Sequence, residues 1–265
     1  MSADHYALYA IKYAQLARRS SANFLGGDAH DTDMPLFYYV WVVQGGGRTV
    51  VVDTGFNAEV AHKRGRTITR PVAEGLLALG IDPQNVAHVV VTHLHYDHIG
   101  NHALFPTAQY YLQDQEMDFA TGRCMAHAAL NHGYEVDDVT EMVRRVYENR
   151  VRFVAGRHEL MPGVELHHIG GHTKGLQVVR VATQRGWVVL ASDASHFYAH
   201  MEQGRAFPIL YNLGDMLEGY RTLQRLATSP AHIIPGHDPQ VLARYPAAWP
   251  GAEGWIVRLD VAPIA

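Results

Sequence analysis

Residues 92–101 read Thr92-His93-Leu94-His95-Tyr96-Asp97-His98-Ile99-Gly100-Asn101. Three imidazoles and a carboxylate crowd into this stretch as H-x-H-x-D-H. The apolar run Val86-Ala87-His88-Val89-Val90-Val91 leads in and reads as a buried strand, while Gly100-Asn101 leads out as a turn. Four potential ligands therefore sit where a strand ends and a loop begins, a place from which side chains can converge on one point. Imidazole and carboxylate are the donors that zinc and similar divalent ions take.

The same arrangement recurs downstream. Gly171-His172-Thr173 follows the strand-like Val164–Ile169, Ser192-Asp193-Ala194 follows Trp187–Leu190, and Pro235-Gly236-His237-Asp238 follows Ala231–Ile234. Each places one polar residue among small neighbours at the end of an apolar stretch. His93, His95, His98, His172 and His237 with Asp97 and Asp193 are enough for two metals that share one carboxylate.

H-x-H-x-D-H, then G-H-T, S-D and P-G-H, in this order and roughly this spacing, resembles the metallo-β-lactamase-fold hydrolases across residues 35–240. Among these the chain is most similar to the N-acyl-homoserine lactonases and related small-lactone hydrolases. The resemblance implies an α/β fold of the αββα sandwich type, with two sheets flanked by helices and a binuclear site at one edge. It implies one metal on His93, His95 and His172, a second on Asp97, His98 and His237, and Asp193 as the bridge. The metals are expected to be divalent, zinc first. Val51-Val52-Asp53-Thr54-Gly55 matches the family's V-D-T-G turn, whose Asp orients ligands.

A pair of divalent ions can hold a hydroxide between them, lower the water's pKa and polarise a carbonyl. The expected reaction is hydrolytic opening of a small lactone, an N-acyl-homoserine lactone first. A lactone from catabolism and a glyoxalase II-type thioester are the alternatives. The thioester reading would need a C-terminal basic cluster for glutathione, and residues 238–265 hold only Arg244 and Arg258. No Gly-x-Ser-x-Gly nucleophile signature and no dinucleotide-binding glycine motif is present. Asp193, Asp97 and His196 are the candidates for roles in the chemical step. His196 stands where the lactonases typically place a Tyr that hydrogen-bonds the substrate carbonyl, with Tyr198 or Tyr211 as substitutes. A second departure is Gly171-His172-Thr173-Lys174-Gly175-Leu176, where the family has G-H-T-P-G-H.

Composition sets the bounds. With 265 residues and no linker, repeat or low-complexity tract, one domain over 1–265 is expected. A net charge of −4, with no basic cluster exceeding Arg144-Arg145 or Arg18-Arg19, argues against a nucleic-acid partner. The lone Cys124 rules out an internal disulfide and suits a reducing compartment. No apolar run approaches a membrane span, and Met1 to Tyr6 lack the look of a leader, so a cytoplasmic chain acting on a small molecule is expected. Monomer and homodimer both stay open.

Strands are expected over Tyr6 to Tyr13, Leu36 to Val43 and Thr49 to Val52, the last two forming a hairpin at Gly45-Gly46-Gly47. Helices are expected over Pro71 to Leu79 and Leu213 to Ala227, and within 114–150, where Val136, Val139, Val143 and Val146 mark one core-facing side. This last segment is also the expected roof of the substrate pocket, with Met117, Phe119, Met125, Ala126 and Tyr134 facing substrate.

Overall fold

The expected hairpin closes on a two-residue loop. Gly45 pairs with Arg48, and Gly46 and Gly47 between them take φ of 58° and 72°, which a side chain would resist. The hairpin starts the first sheet of a computed structural model that describes residues 5–264. Most of the segment read above for a leader, residues 1–4, lies outside the described residues, as does residue 265.

The first sheet runs, in spatial order, Ile256–Arg258, Ala7–Leu16, Leu36–Gly45, Arg48–Val52, His88–Val90, Gln109–Gln113 and Val151–Val154, with Thr67–Ile68 added beside Ala7–Leu16. From Arg48–Val52 onward its strands are parallel. The second sheet runs Ile233–Pro235, Gly186–Ser192, Gln177–Thr183, Val164–His168 and Arg157–Met161. It is antiparallel except where Ile233–Pro235 joins Gly186–Ser192.

Strand alternation explains how these layers stack. Trp41 and Val43 point into the core between the sheets, against Leu166, Val179, Val181 and Leu190. Their neighbours Val40 and Val42 point outward to a second core containing Val72, Leu76, Val139 and Met142. On the far side Val178, Val189 and Ala191 meet Met216, Tyr220 and Leu223. Both faces of each sheet are thus buried, which is why the strands read as nearly unbroken apolar runs. The result is an α/β sandwich, two sheets flanked by helices.

The helices depart from expectation in detail. Pro71 is the extended N-cap of Val72–Ala78 and lies just outside the first turn. In Leu213–Leu226, Leu213 and Leu217 are exposed while Met216, Tyr220 and Leu223 carry the packing. The valine stripe also loses a member. Val139 is buried and Val143 and Val146 pack on the core, but Val136, the first residue of Val136–Tyr147, is 77% exposed. The segment before it is a series of short helices, Asp114–Ala120, the 3-10 turn Arg123–Ala126 and Ala128–Asn131. No helix among the described residues is long and apolar enough to cross a membrane.

Candidate metal centre

The strand ends deliver their polar residues to one place. Val90 ends a strand of the first sheet and the chain turns through His93 and His95 into the short helix Tyr96–Ile99, which carries Asp97 and His98. The second sheet contributes His172, Asp193 and His237 from the ends of Val164–His168, Gly186–Ser192 and Ile233–Pro235. All seven side chains are buried. Groups of three whose ligand atoms lie within 4.8 Å of one another include His93 with His95 and His172, and Asp97 with His98 and His237. Asp193 forms a further one with His93 and His98 and another with His172 and His196.

Asp193 stands between the first two groups with one oxygen toward each. Oδ1 is 3.0 Å from His237 Nε2 and 3.4 Å from His98 Nε2. Oδ2 is 3.3 Å from His172 Nε2 and 4.0 Å from His93 Nε2. His98 Nε2 and Asp193 Oδ1 are both buried without a hydrogen-bond partner among the described residues. His172 donates from Nδ1 to the Ile209 carbonyl at 2.7 Å, so its Nε2 is an acceptor, yet it faces the Asp193 carboxylate oxygen Oδ2 at 3.3 Å. Buried acceptors aimed at one another are costly unless a cation lies among them. Two divalent ions fit this donor set.

Further contacts hold the rings in place. His237 donates from Nδ1 to the Phe37 carbonyl at 2.9 Å, leaving Nε2 for the cluster. His98 Nδ1 lies 2.7 Å from Asp53 Oδ2, and Asp53 also accepts from the Thr92 amide at 2.7 Å and hydroxyl at 2.8 Å. The Thr92 hydroxyl reaches Ser192 Oγ at 2.8 Å, tying the two sheets together beside the site. Asp53 and Ser192 have φ of 62° and 45°, strained for non-glycine residues. The strain thus sits in the network that aims His98.

Electrostatics favour ligating protonation states for most of the set. Burial pushes the His93 and His95 imidazoles well below their ordinary range and lowers His172. Burial also opposes charge on Asp193 and Asp97, but the imidazoles around them hold both carboxyls well below the usual range. His237 and His98 go the other way: burial opposes the His237 charge, but Asp193 and Asp97 raise its pKa above the ordinary value, and the effect on His98 is larger. Burial disfavours its charge, yet Asp97, Asp193 and Asp53 raise it well above the ordinary value.

Several residues here gave no sequence signal. Glu116, fully buried in Asp114–Ala120, accepts from the Leu94 amide at 2.9 Å, the Tyr134 hydroxyl at 3.1 Å, Thr173 Oγ1 at 2.6 Å and the Gly175 amide at 3.1 Å. It clasps the His93–His95 loop to the His172 loop. In sequence it is an ordinary acid in a helix's first turn.

His196 lies in the site, with Nε2 2.9 Å from Asp193 Oδ2 and its ring stacked 3.5 Å from Phe207. The two tyrosines offered as substitutes are elsewhere. Tyr198 is buried in the core between the sheets under the Arg244 guanidinium, and Tyr211 is 39% exposed against Phe119. A cleft of about 70 Å³ opens over His95, Asp97, His172, Asp193, His196 and His237. From the segment 114–150 it is lined by His132 and Gly133, not by Met117, Met125, Ala126 or Tyr134. Met125 and Tyr134 line a separate cavity of about 370 Å³ with Val136 and Val139. Phe119 borders only a small recess beside His95 and His172. The rest of the cleft wall is Arg18, Arg64, Arg66, Tyr38, Tyr96, Leu36 and Ile209.

The sequence profile of the metallo-beta-lactamase superfamily matches residues 33–237, a span that contains every one of these His and Asp residues. The chain belongs to the metallo-beta-lactamase superfamily. Within it, the chain is similar to an N-acyl homoserine lactonase from a Bacillus species, 25% identical over 64% of this chain and 68% of that one. It is 27% identical to N-acyl homoserine lactonase AttM of Rhizobium radiobacter, over 84% of this chain and 89% of the relative. A solved N-acyl homoserine lactone hydrolase, with the product N-hexanoyl-L-homoserine at its catalytic metal centre, superposes with a TM-score of 0.72 at 21% identity. That match covers 89% of this chain and 94% of the other, and it speaks to the fold.

Proposed function

We propose that this protein is a binuclear metal-dependent hydrolase that opens a small lactone ring. The observation that carries the reading is the division of Asp193 between two groups of three ligands, Oδ1 toward His98 and His237 and Oδ2 toward His93 and His172. In this reading His93, His95 and His172 hold one ion, Asp97, His98 and His237 hold the other, and Asp193 serves both. Zinc suits the nitrogen-rich set, and geometry rather than raw affinity selects the metal. When bound, the pair of ions supplies an acidified water and a Lewis acid for the ester carbonyl.

The chain's own residues then have defined tasks. In this reading the proton released from the attacking water is taken up by the ring oxygen as the C–O bond breaks, with Asp193 as its carrier. The products are a carboxylate and an alcohol, so water and proton balance without a protein nucleophile. His196 donates to Asp193 Oδ2 and fixes that oxygen's direction. Arg64 and Tyr96 wall the cleft, narrowing it and excluding bulk water. The lactonase names of the relatives support a lactone over a thioester.

N-acyl homoserine lactones, the substrates in the relatives' names, are the reference compounds. Proton release during hydrolysis of a lactone panel by metal-loaded protein tests the reading. Turnover that stops on chelation and returns with metal is expected. Turnover of thioesters alone would replace it.

A further inference from the structure

Two half-buried arginines in the cleft wall have no carboxylate partner among the described residues. Arg64 is neutralised, with its Nε 2.7 Å from Glu135 Oε1. Arg18 and Arg66 are half-buried and pair with no carboxylate among the described residues. Arg18 donates to the Ala22 carbonyl at 2.7 Å. Arg66 donates from Nε to the Tyr96 hydroxyl at 3.0 Å and also reaches the Arg64 carbonyl. These are neutral acceptors. Asp97 favours the Arg66 charge from a distance, but its Oδ2 is already 3.4 Å from His98 and 3.6 Å from His237.

Burial disfavours the Arg18 charge, and the Arg66 charge nearby adds to that. Two like charges in a narrow cleft, beside a site that takes two dications, are a costly arrangement without an anion. Nearby, the Tyr38 and Tyr96 hydroxyls meet at 3.2 Å and add neutral donors to the same wall. Planar guanidinium groups recognise carboxylates through paired, charge-assisted hydrogen bonds. An uncharged acyl chain would leave both cations without an anionic partner.

We propose that Arg18 and Arg66 form an anion subsite, and that the substrate is a small lactone bearing a carboxylate. The proposal rests on the lactonase reading of the metal site and narrows it, because the reference acyl homoserine lactones carry no such charge. Ring opening of a carboxylated lactone gives a hydroxy-dicarboxylate, with one carboxylate new at the metal site and the other already held by the arginines. Arg64, with Glu135 against it, has no part in the subsite.

The test has a turnover arm and a binding arm. The substrates are 5-oxotetrahydrofuran-2-carboxylate and its primary amide, which share the ring and differ in charge. Metal-loaded protein is expected to favour the acid in kcat/KM by about tenfold or more, the effect of one charge-assisted hydrogen bond. In Arg18→Gln and Arg66→Gln that ratio falls by about tenfold, chiefly through KM. In the second arm, calorimetry compares glutarate with butyrate, and the variants lose the preference for the dicarboxylate. Each ratio is internal to one variant, so partial misfolding does not imitate the effect. Equal rates on acid and amide, or glutarate preference unchanged in both variants, would overturn the proposal. Arginine-dependent glutarate binding without turnover of any lactone would keep the subsite and remove the lactonase reading instead.

Discussion

His196 Nε2 lies 2.9 Å from Asp193 Oδ2, with the imidazole stacked on Phe207 at 3.5 Å. Because neighbouring imidazoles keep Asp193 ionised, its oxygen only accepts and His196 must donate. His196 therefore acts on the carboxylate between the two ligand groups. Replacing it with Ala frees Oδ2 to rotate. His196→Ala should lower metal affinity and activity together, by about 10- to 100-fold as for other residues that orient ligands. Titration with a chromophoric chelator alongside the rate measures both. A rate loss with unchanged affinity would move His196 to direct substrate contact.

Gly133 is pressed against His95, one of the residues proposed to hold metal. A Cβ built there would lie 2.5 Å from His95 Nε2 and 2.6 Å from His95 Cδ2, while the Gly133 carbonyl accepts from the Tyr96 amide at 2.9 Å. The ring has to move to admit a methyl, and a metal site tolerates about 0.2 Å. Gly133→Ala should therefore reduce occupancy of the His93–His95–His172 position while the protein still unfolds cooperatively. Full occupancy by elemental analysis would show that the loop yields instead.

Asp53 supports His98 from behind at 2.7 Å and holds Thr92 by two contacts. Asp53→Ala should cost about 10- to 100-fold in metal affinity, and Asp53→Asn less, since the amide still offers an acceptor. Equal affinity in all three proteins would mean that Thr92 and Ser192 suffice.

Away from the site, Glu165 predicts the acid limit of stability. Burial opposes its charge, but His167, Arg157 and Arg180 hold its pKa down at about 2. A folded-state pKa below the unfolded value adds stability that is complete above the unfolded pKa, near 4.5, and is lost as pH falls toward 2. Urea midpoints should fall across that window in the native protein. Glu165→Gln should be less stable at pH 7 and flatter between pH 4.5 and 2. Parallel pH profiles would remove Glu165 from the account.

What the sequence disclosed follows chain continuity. The H-x-H-x-D-H run, the hairpin at Gly46-Gly47 and the apolar strands are local patterns, and each survives folding with shifts of up to three residues at its ends. Glu116 and Gly133 were not legible, because their importance comes from Thr173, Gly175 and His95 reaching them across the fold. Arg18 follows the strand Ala7–Leu16 and Arg66 precedes Thr67–Ile68, and only the pairing of those two strands brings them together. Tyr134 was read as an apolar contact, yet its hydroxyl serves Glu116. Val136 fits the helical period but falls at the first turn, where nothing packs over it.

The most direct test of the central claim is metal content measured by elemental analysis on the native protein and on Asp193→Ala, with lactone hydrolysis followed on the same samples. About two divalent ions per native chain are expected, as in other two-metal hydrolases, with loss of metal and of activity together in Asp193→Ala. An Asp193→Ala protein that is metal-free and fully active would contradict the claim.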